Sequence, residues 1–356
     1  MHLSTSNFER SIPNLPWPGL LIRVVAFTLI ATAAWELCCR AVGYAPTLND
    51  TSDLWADRRE AVKPDSTVVI GDSRALFDLD LNELERIFAE RPIQLSLVGS
   101  SAYPILLNLV EDEAFHGTVI VGMVPLMFFA PAGPPVETSE KALKHYRTRT
   151  ISQKVNHQLE MLTQQNLAFL KQEDLTLSAL LKKIPIDNRT GALIAPKLPP
   201  YFYTLDSERR ARMVESCMRP GPLQTRVKEG WPALFSRPPP PNWIPPEAFS
   251  KKMAQASEDR FQNTVTKVNE FRARGGKVVF VRFPVSGKLK AIEDAATPRT
   301  QIWARLINET QAPGIYFEDY SELARFECPE WSHLSAPDSI EFTRALIPHL
   351  RSSLKL

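Results

Sequence analysis

The run from Thr67 to Arg74 constrains the fold of this chain more than any other stretch. Its first part, Thr67-Val68-Val69-Ile70, is a block of β-branched residues, which is typical of a strand buried on both faces of a parallel sheet. Gly71 then permits a sharp turn, and residues 76–87 repeat leucine and isoleucine at helical spacing. This strand–turn–helix unit leaves Ser73 at the carboxyl end of the strand, where open α/β sheets bind their ligands.

Two roles are open for Ser73 on this stretch alone. A serine at the start of a helix can cap it by accepting a hydrogen bond from a backbone N–H of the first turn. It can also act as a nucleophile, because the N–H groups at a helix N-terminus stabilise a developing oxyanion. The choice depends on whether the rest of the chain supplies a base.

The same strand–turn–helix rhythm recurs later in the chain. Further apolar strands are predicted at residues 93–98, 118–124, 277–284 and 314–317. The rhythm stops between residues 126 and 276, where the sequence predicts helices over 138–183 and 246–274 around a proline-rich, irregular part. We therefore predict an α/β domain over 65–352, a three-layer parallel sheet of the flavodoxin-like type, with a long, mainly helical and Pro-rich insertion at 126–276.

Two apolar features of the insertion are predicted to pack inside the protein. One is a leucine stripe along the helical part, formed by Leu159, Leu162, Leu167, Leu170, Leu177 and Leu181. The other is the aromatic cluster Tyr201-Phe202-Tyr203, for which stacking on a sugar ring is the alternative. Packing is the preferred interpretation of both, because apolar side chains at helical spacing are typical of a core face.

The N-terminal part of the chain predicts export and a membrane anchor. Residues 17–39 are mostly apolar and reach the ~20 residues that a bilayer needs if Arg23 extends to the interface. Arg10 and Arg23 favour a cytoplasmic N-terminus over residues 1–16. A signal peptide cleaved at Ala31-Thr32-Ala33 is the rival interpretation, but the apolar character continues through Cys39, which favours an uncleaved anchor. Residues 40–64 are predicted to be a polar linker.

Composition narrows the classes of function. The formal net charge is +2 and the chain contains no basic run, so we expect no nucleic-acid partner. There is no C-x-x-C pair and no Gly-rich nucleotide loop, so we predict neither a metal site nor a cofactor. An exported location would permit a disulfide between Cys217 and Cys328, which would tie the insertion to the loop that bears Glu330.

A base for Ser73 is predicted in the loop after the last strand. This loop contains Glu330-Trp331-Ser332-His333, and in a parallel sheet it emerges on the same edge as Ser73. His333 could take the serine proton, and Glu330, three residues earlier, could orient the imidazole and stabilise its charged form. The sequence therefore predicts a Ser–His–acid arrangement.

Three further polar residues lie at this predicted edge. Asp72 and Arg74 flank Ser73, and Arg282 ends the fourth strand. Each is a candidate substrate contact. The alternatives are hydrogen bonds that hold the turn, for Asp72 and Arg74, and a structural ion pair, for Arg282.

These motifs resemble the conserved blocks of the SGNH (GDSL-type) hydrolase superfamily over residues 65–125 and 275–350. The resemblance rests on Gly71-Asp72-Ser73, on Gly99 after the second strand, and on Glu330-x-x-His333. It implies that Ser73 is the nucleophile, that His333 is the base, and that the N–H groups of Ser73 and Gly99 form the oxyanion hole. Two departures stand out: the third block, usually Gly-x-Asn-Asp, is Gly122-Met123-Val124-Pro125, and the acid is glutamate rather than aspartate.

The architecture as a whole resembles the membrane-anchored SGNH-like proteins of bacterial polysaccharide and cell-envelope O-acylation. This implies a single-pass protein of the bacterial inner membrane whose periplasmic domain is an acyl esterase or O-acyltransferase. The implied substrate is an acylated glycan, with acetyl as the expected acyl group, and the implied partner is a multispanning membrane acyltransferase. The alternative is a non-catalytic glycan-binding or scaffolding protein, which the missing third-block asparagine would suit. The motifs leave hydrolysis and transfer both open.

Overall fold

The computed structural model describes residues 16–171, 175, 177–182, 199–235 and 243–356. Residues 1–15 of the predicted cytoplasmic segment, and 183–198 and 236–242 of the predicted irregular part, lie outside this description. The strands of the described residues are β1 (Thr67–Ile70), β2 (Ile93–Gln94), β3 (Thr118–Gly122), β4 (Tyr203–Leu205), β5 (Ala211–Met213), β6 (Lys277–Arg282) and β7 (Gly314–Tyr316).

Helices lie before, between and after these strands in the described residues. In chain order they are α1 (Trp17–Ala41), α2 (Ser52–Glu60), α3 (Ser73–Phe77), α4 (Leu81–Glu85), α5 (Tyr103–Val110), α6 (Pro125–Phe128), α7 (Pro134–Thr148), α8 (Ile151–Gln164), α9 (Leu177–Lys182), α10 (Glu215–Met218), α11 (Pro222–Phe235), α12 (Pro246–Ala273), α13 (Gly287–Ala296), α14 (Trp303–Thr310), α15 (Ser321–Ala324) and α16 (Ala336–Leu354). Single 3₁₀ turns occur at Ala168–Leu170 and Phe317–Asp319.

A five-stranded parallel sheet forms the centre of the protein. Its strand order is β2-β1-β3-β6-β7, and all neighbouring strands run parallel. The predicted parallel α/β sheet is therefore confirmed. This order belongs to doubly wound sheets and changes direction between β1 and β3, where such sheets bind ligands at the carboxyl ends of the strands. The β4–β5 pair is a separate antiparallel hairpin within the insertion.

Two glycines bring the helix that follows β1 close to the sheet. A Cβ at Gly71 would lie 2.5 Å from the Cβ of Ala75, and one at Gly122 would lie 2.6 Å from the same atom. Larger residues at these two positions would push α3 away from β1 and β3. The glycines therefore set the position of Ser73, the first residue of α3, at the carboxyl edge of the sheet.

The predicted insertion at 126–276 is too long at its C-terminal end. Helix α12 buries Phe261, Val268 and Phe271 and packs against β6, α5 and α14. It is the crossover helix that a parallel connection from β3 to β6 requires, so it belongs to the main domain. The inserted part ends before Pro246.

The prediction of a polar linker over 40–64 is wrong, because most of this segment is packed into the domain. Trp55 is fully buried, and its Nε1–H donates to the carbonyl of Leu95 at 2.9 Å. The N–H of Leu48 donates to the carbonyl of Leu205 on β4, also at 2.9 Å. The segment thus joins the sheet layer to the insertion rather than holding the domain away from a membrane.

Helix α1 has 25 residues with a mean hydropathy of 1.8 in its most apolar window, and it is long and apolar enough to cross a membrane. Its last turns contact the domain. The Glu36 carboxylate accepts the N–H groups of Ala168 (3.0 Å) and Phe169 (3.2 Å), and Arg40 donates to the carbonyl of Asn166 (2.9 Å). These contacts attach the end of α1 to the turn that follows α8.

The predicted packing of the leucine stripe holds for part of it. Leu167 and Leu170 are partly buried, whereas Leu159, Leu162, Leu177 and Leu181 are exposed. For those four positions the prediction is wrong, because each of the four side chains is more than half exposed to solvent.

Candidate active site

Ser73 lies at the N-terminus of α3 without capping it. The cap is Asp72, whose carboxylate accepts the N–H of Arg74 at 3.0 Å. Burial raises the pKa of Asp72, and the nearby charges of Arg74 and His333 partly oppose this effect. As the first residue of a helix, Ser73 has a backbone N–H without an acceptor in its own helix. The helix is therefore capped by Asp72 and not by Ser73, and the Ser73 hydroxyl is not used as a cap.

Glu330 and His333 form the hydrogen-bonded pair that their spacing predicts. Glu330 Oε1 lies 2.8 Å from His333 Nδ1 and accepts the backbone N–H of His333 at 2.6 Å. Because a carboxylate accepts hydrogen bonds, this contact favours the neutral imidazole tautomer that carries its proton on Nδ1 and a lone pair on Nε2. The Glu330 carboxylate thus fixes the tautomer that a general base needs.

The insertion completes the environment of Glu330. Trp231 on α11 donates its Nε1–H to Glu330 Oε2 at 2.8 Å and to the Glu330 carbonyl at 2.7 Å. The N–H of Ser332 also donates to Oε2, at 3.3 Å. Glu330 is fully buried, so these donors are what stabilises its charge away from water. No local signal in the sequence points to Trp231, which lies 99 residues away in the chain.

His333 lies beside the helix that begins at Ser73. Its ring packs against that of Phe77, one turn after Ser73, with the ring centroids 4.4 Å apart and the planes tilted by 31°. Its Nε2 is buried and has no hydrogen-bond partner among the described residues, and it makes no hydrogen bond with the Ser73 hydroxyl. Buried polar atoms are nearly always paired, so a lone imidazole nitrogen at this position requires a functional explanation. Catalytic hydrogen bonds are often long in unliganded enzymes, so this geometry is compatible with a base for Ser73.

Aromatic side chains of the insertion cover the imidazole. The rings of Phe202 and Trp231 each lie 5.6 Å from the His333 ring, and Phe202 lies 5.6 Å from Phe77. The predicted packing of the aromatic cluster against the main domain is thus confirmed for Phe202. Ser73 is 9% exposed and His333 is 1% exposed, so both residues are buried.

A buried ion cluster lies next to this turn. Both oxygens of the Glu293 carboxylate bind the Arg74 guanidinium, and one of them also binds Arg282. Burial acts to raise the pKa of Glu293, but the two guanidinium groups outweigh it and lower the pKa to about 2. Arg74 also donates to the Ser332 hydroxyl at 3.3 Å, which links the Ser73 turn to the His333 loop.

This cluster supplies the structural partners that were one of the two predicted roles of Arg74 and Arg282. Both side chains are at most 4% exposed, and their donors are directed at Glu293, Ser332 and the carbonyl of Met123. A substrate contact, the other role, stays a prediction. The sequence offers no signal for Glu293, which lies in an amphipathic helix where a charged residue is ordinarily on the surface.

Asp78 holds the other side of the His333 loop. Its Oδ1 accepts the N–H of Leu334 at 2.8 Å, while its Oδ2 has no hydrogen-bond partner within the described parts of the chain. Burial raises the pKa of Asp78 well above its ordinary value, and the Leu334 N–H and the nearby Arg74 charge oppose this effect. Through its bond to Leu334, Asp78 links the end of α3 to the His333 loop.

The segment that carries Gly99, one of the two predicted oxyanion donors, runs beside the turn that carries Ser73, the other. The N–H of Leu97 donates to the carbonyl of Gly71 at 3.1 Å, which brings the segment leading to Gly99 to the edge where Ser73 lies. Gly99 has φ of +63°, a conformation that favours glycine. The third block contributes no side-chain donor, because Met123 and Val124 are apolar and buried.

The predicted disulfide between Cys217 and Cys328 is wrong, since both thiols are free and buried. Cys328 donates a weak hydrogen bond to the carbonyl of Pro284 at 3.5 Å instead. Burial raises the pKa of Cys217 to about 12 and that of Cys328 well above its ordinary value. Both residues therefore fill the core as protonated, unreactive thiols.

One cleft lies away from Ser73 and His333. A cavity of about 420 Å³ opens between α5, α7 and α12, where it is lined by Tyr103, Asn108, Glu140 and Arg260. It includes neither Ser73 nor His333. In the described residues, no group of three or more His, Cys, Asp or Glu side chains could hold a metal ion.

No protein-family model, curated protein or solved structure matches this chain. The functional conclusion therefore depends on the geometry of Glu330, His333 and the Ser73 turn.

Proposed function

We propose that this protein is an SGNH-type acyl esterase or O-acyltransferase, anchored in a membrane by α1, that acts on acyl esters of an extracytoplasmic glycan. The observation that carries the proposal is the buried Glu330–His333 pair, at 2.8 Å, beside the helix that begins at Ser73. Within the described residues Nε2 of His333 has no hydrogen-bond partner, so it is available to act as a base. A histidine held by a carboxylate next to a serine at a helix N-terminus is the arrangement that activates serine in acyl transfer.

The reaction would proceed through an acyl-enzyme. His333 Nε2 takes the hydroxyl proton as Ser73 Oγ attacks the carbonyl carbon of the ester, and the sugar oxygen leaves with the proton that the imidazolium returns. Water, or a hydroxyl of a second glycan, then attacks acyl-Ser73 while Nε2 takes its proton, and the same proton returns to Ser73 Oγ. Glu330, with its donors Trp231 and Ser332, stabilises the imidazolium formed in each half-reaction.

The oxyanion would be stabilised by backbone N–H groups, of Ser73 at the N-terminus of α3 and of Gly99 in the neighbouring loop. The third donor of the superfamily is missing, and the loss of one such donor raises a barrier by roughly 3 kcal/mol. A slow enzyme is therefore expected. Since Phe202 and Trp231 enclose His333, the substrate must displace part of this aromatic cover to reach Nε2.

Two observations favour a second candidate function, a non-catalytic glycan-binding or scaffolding role in an envelope modification system. Ser73 and His333 are not hydrogen-bonded to each other, and the third block lacks its donor. The four hydrogen bonds to the Glu330 carboxylate, from the backbone and ring of His333, from Trp231 and from Ser332, argue for catalysis, because a binding protein has no need of an imidazole with a fixed tautomer.

The test uses the full chain purified in detergent micelles, treated with a fluorescent fluorophosphonate. Catalysis predicts labelling that disappears in Ser73→Ala, falls strongly in His333→Gln, and persists in Ser100→Ala, a serine of the neighbouring loop. Acetyl release from p-nitrophenyl acetate is then measured in the same variants. Stimulation by an added glycan acceptor assigns transfer, and turnover independent of acceptor assigns hydrolysis. Folded wild type that neither labels nor turns over would reject catalysis in favour of the binding role.

A further inference from the structure

Helix α8 turns its apolar side outward. Four residues form a row along it, and they are 80%, 55%, 60% and 63% exposed: Ile151, Val155, Leu159 and Leu162. At 3.6 residues per turn these four lie within an arc of about 80°, so they form one continuous strip, which we call the α8 stripe. The side chains directly beside it, Ser152, Asn156 and Thr163, are polar and exposed.

The polar side of α8 faces the domain. Lys154 Nζ binds the Glu60 carboxylate at 2.7 Å, and His157 Nε2 lies 3.4 Å from Asp57 Oδ2. Near the end of the helix, Gln164 Oε1 accepts the backbone N–H of Asn49 at 3.0 Å. An amphipathic helix on a water-exposed surface packs its apolar side on the core and turns its polar side to solvent. In α8 this order is inverted, so the outward side is suited to an apolar environment.

The α8 stripe ends next to the helix that can cross a membrane. The turn directly after α8 receives the contacts of α1: Arg40 donates to the carbonyl of Asn166, and Glu36 accepts the N–H groups of Ala168 and Phe169. These bonds come from the last two turns of α1, where the apolar helix meets the domain. A membrane crossed by α1 would therefore have its surface close to the end of α8.

We propose that the α8 stripe lies in the interfacial layer of the lipid bilayer that α1 crosses. The inference rests on the anchoring role of α1 in the proposed function and adds a second, peripheral contact with the same membrane. A strip one residue row wide with polar neighbours suits a helix lying at the boundary of headgroups and acyl chains, where apolar side chains enter the lipid and polar ones remain hydrated. Two points of attachment would hold the domain against the membrane and fix the height of the Ser73 site above it.

The test places the photoreactive residue p-benzoylphenylalanine at single positions of the full chain, reconstituted in vesicles of phosphatidylethanolamine and phosphatidylglycerol. Val155 and Leu159 report on the α8 stripe, and Asn156, an exposed polar residue beside the stripe on the same helix, is the matched control. Phe27, which is 74% exposed on α1, reports on the anchor. All four positions are exposed, so the substitutions leave the packing intact.

After irradiation, mass spectrometry identifies what each position has captured. We expect lipid adducts at 27, 155 and 159, with a yield several-fold lower at 156. Lipid adducts at 27 without any at 155 and 159 would overturn the inference and leave the anchor intact. Crosslinks from 155 and 159 to a second copy of the chain, or to another membrane protein when the experiment is repeated in native membranes, would overturn it in favour of a protein interface. Absence of lipid adducts at 27 would refute the anchor and the inference together.

Discussion

Replacement of Glu293 by glutamine should destabilise the protein strongly, although the two side chains have nearly the same shape. Glu293→Gln removes the carboxylate that both Arg74 and Arg282 bind in the interior, so two buried guanidinium groups lose their counter-charge. The pKa of Glu293 is about 2 in the fold against an ordinary 4.5, and this difference corresponds to about 3 kcal/mol of stability at neutral pH. Breaking a buried ion pair typically costs ~3–5 kcal/mol, which agrees with that value.

The contribution of Glu293 has a defined pH dependence. Because its pKa is lower in the folded state than in the unfolded chain, the stabilisation is complete above the unfolded value of about 4.5 and is lost as the pH falls towards 2. Glutamine does not titrate, so Glu293→Gln lacks this loss. The free energies of unfolding of wild type and variant should therefore differ most at neutral pH and converge in acid.

Urea unfolding of the full chain in detergent micelles, followed by tryptophan fluorescence, measures these differences. The matched control is Glu258→Gln. The pKa of Glu258 is also about 2, because Arg305 binds it, but the two side chains are 42% and 34% exposed. Solvent screens such a pair, and we expect a loss of ~0–1 kcal/mol. Equal losses in the two variants, or a loss below about 1 kcal/mol for Glu293→Gln, would refute the argument that burial of the cluster is what matters.

Three further predictions concern the surroundings of the site. Trp231→Phe keeps the aromatic cover but removes an N–H donor from buried Glu330, so the rate of fluorophosphonate labelling should fall about tenfold; an unchanged rate would show that this donor does not support the base. The pKa of Asp78 is higher in the folded protein than in the unfolded chain, so ionisation of this carboxyl opposes folding as the pH rises. Wild type should therefore lose more stability between pH 5 and pH 8 than Asp78→Asn, which does not titrate. Urea midpoints that change in parallel for the two proteins across that range would contradict this. Denatured protein should show 4 reactive thiols without reductant, and a count two lower would restore the Cys217–Cys328 disulfide.

The parts of the fold that could be predicted from the sequence are those specified by neighbouring residues. The run Thr67–Ile70 predicts a buried strand, and Gly71 predicts the turn, because both signals are local. Glu330 and His333 are three residues apart in one loop, so their pairing follows from spacing as well. The linker prediction fails because it considers only local composition. The polar segment contains Trp55, which is buried in the domain and donates to the carbonyl of Leu95, 40 residues further along the chain.

The parts that could not be predicted join residues far apart in the chain. Arg74 and Glu293 are separated by 219 positions, and nothing near either residue indicates that the other is its partner. An acidic residue on an amphipathic helix ordinarily faces water, so the sequence gives no indication that Glu293 is buried. Its burial depends on the tertiary contact between α13 and Arg74, the residue after Ser73. The inverted orientation of α8 is equally hidden, because periodicity identifies an apolar side without saying which way that side faces.

The site is therefore a product of both the main domain and the insertion, and this bears on what the chain can do. The main domain supplies Ser73, at the start of α3, and His333, whose ring packs against Phe77 of the same helix. The insertion supplies Trp231, which donates to Glu330, and Phe202, and both of these rings pack against the imidazole. Acyl transfer to a glycan in place of water requires that water be kept from acyl-Ser73 until the acceptor binds. In the function we propose, that requirement would fall on the insertion, and the choice between transfer and hydrolysis would depend on its aromatic cover rather than on Ser73, His333 and Glu330.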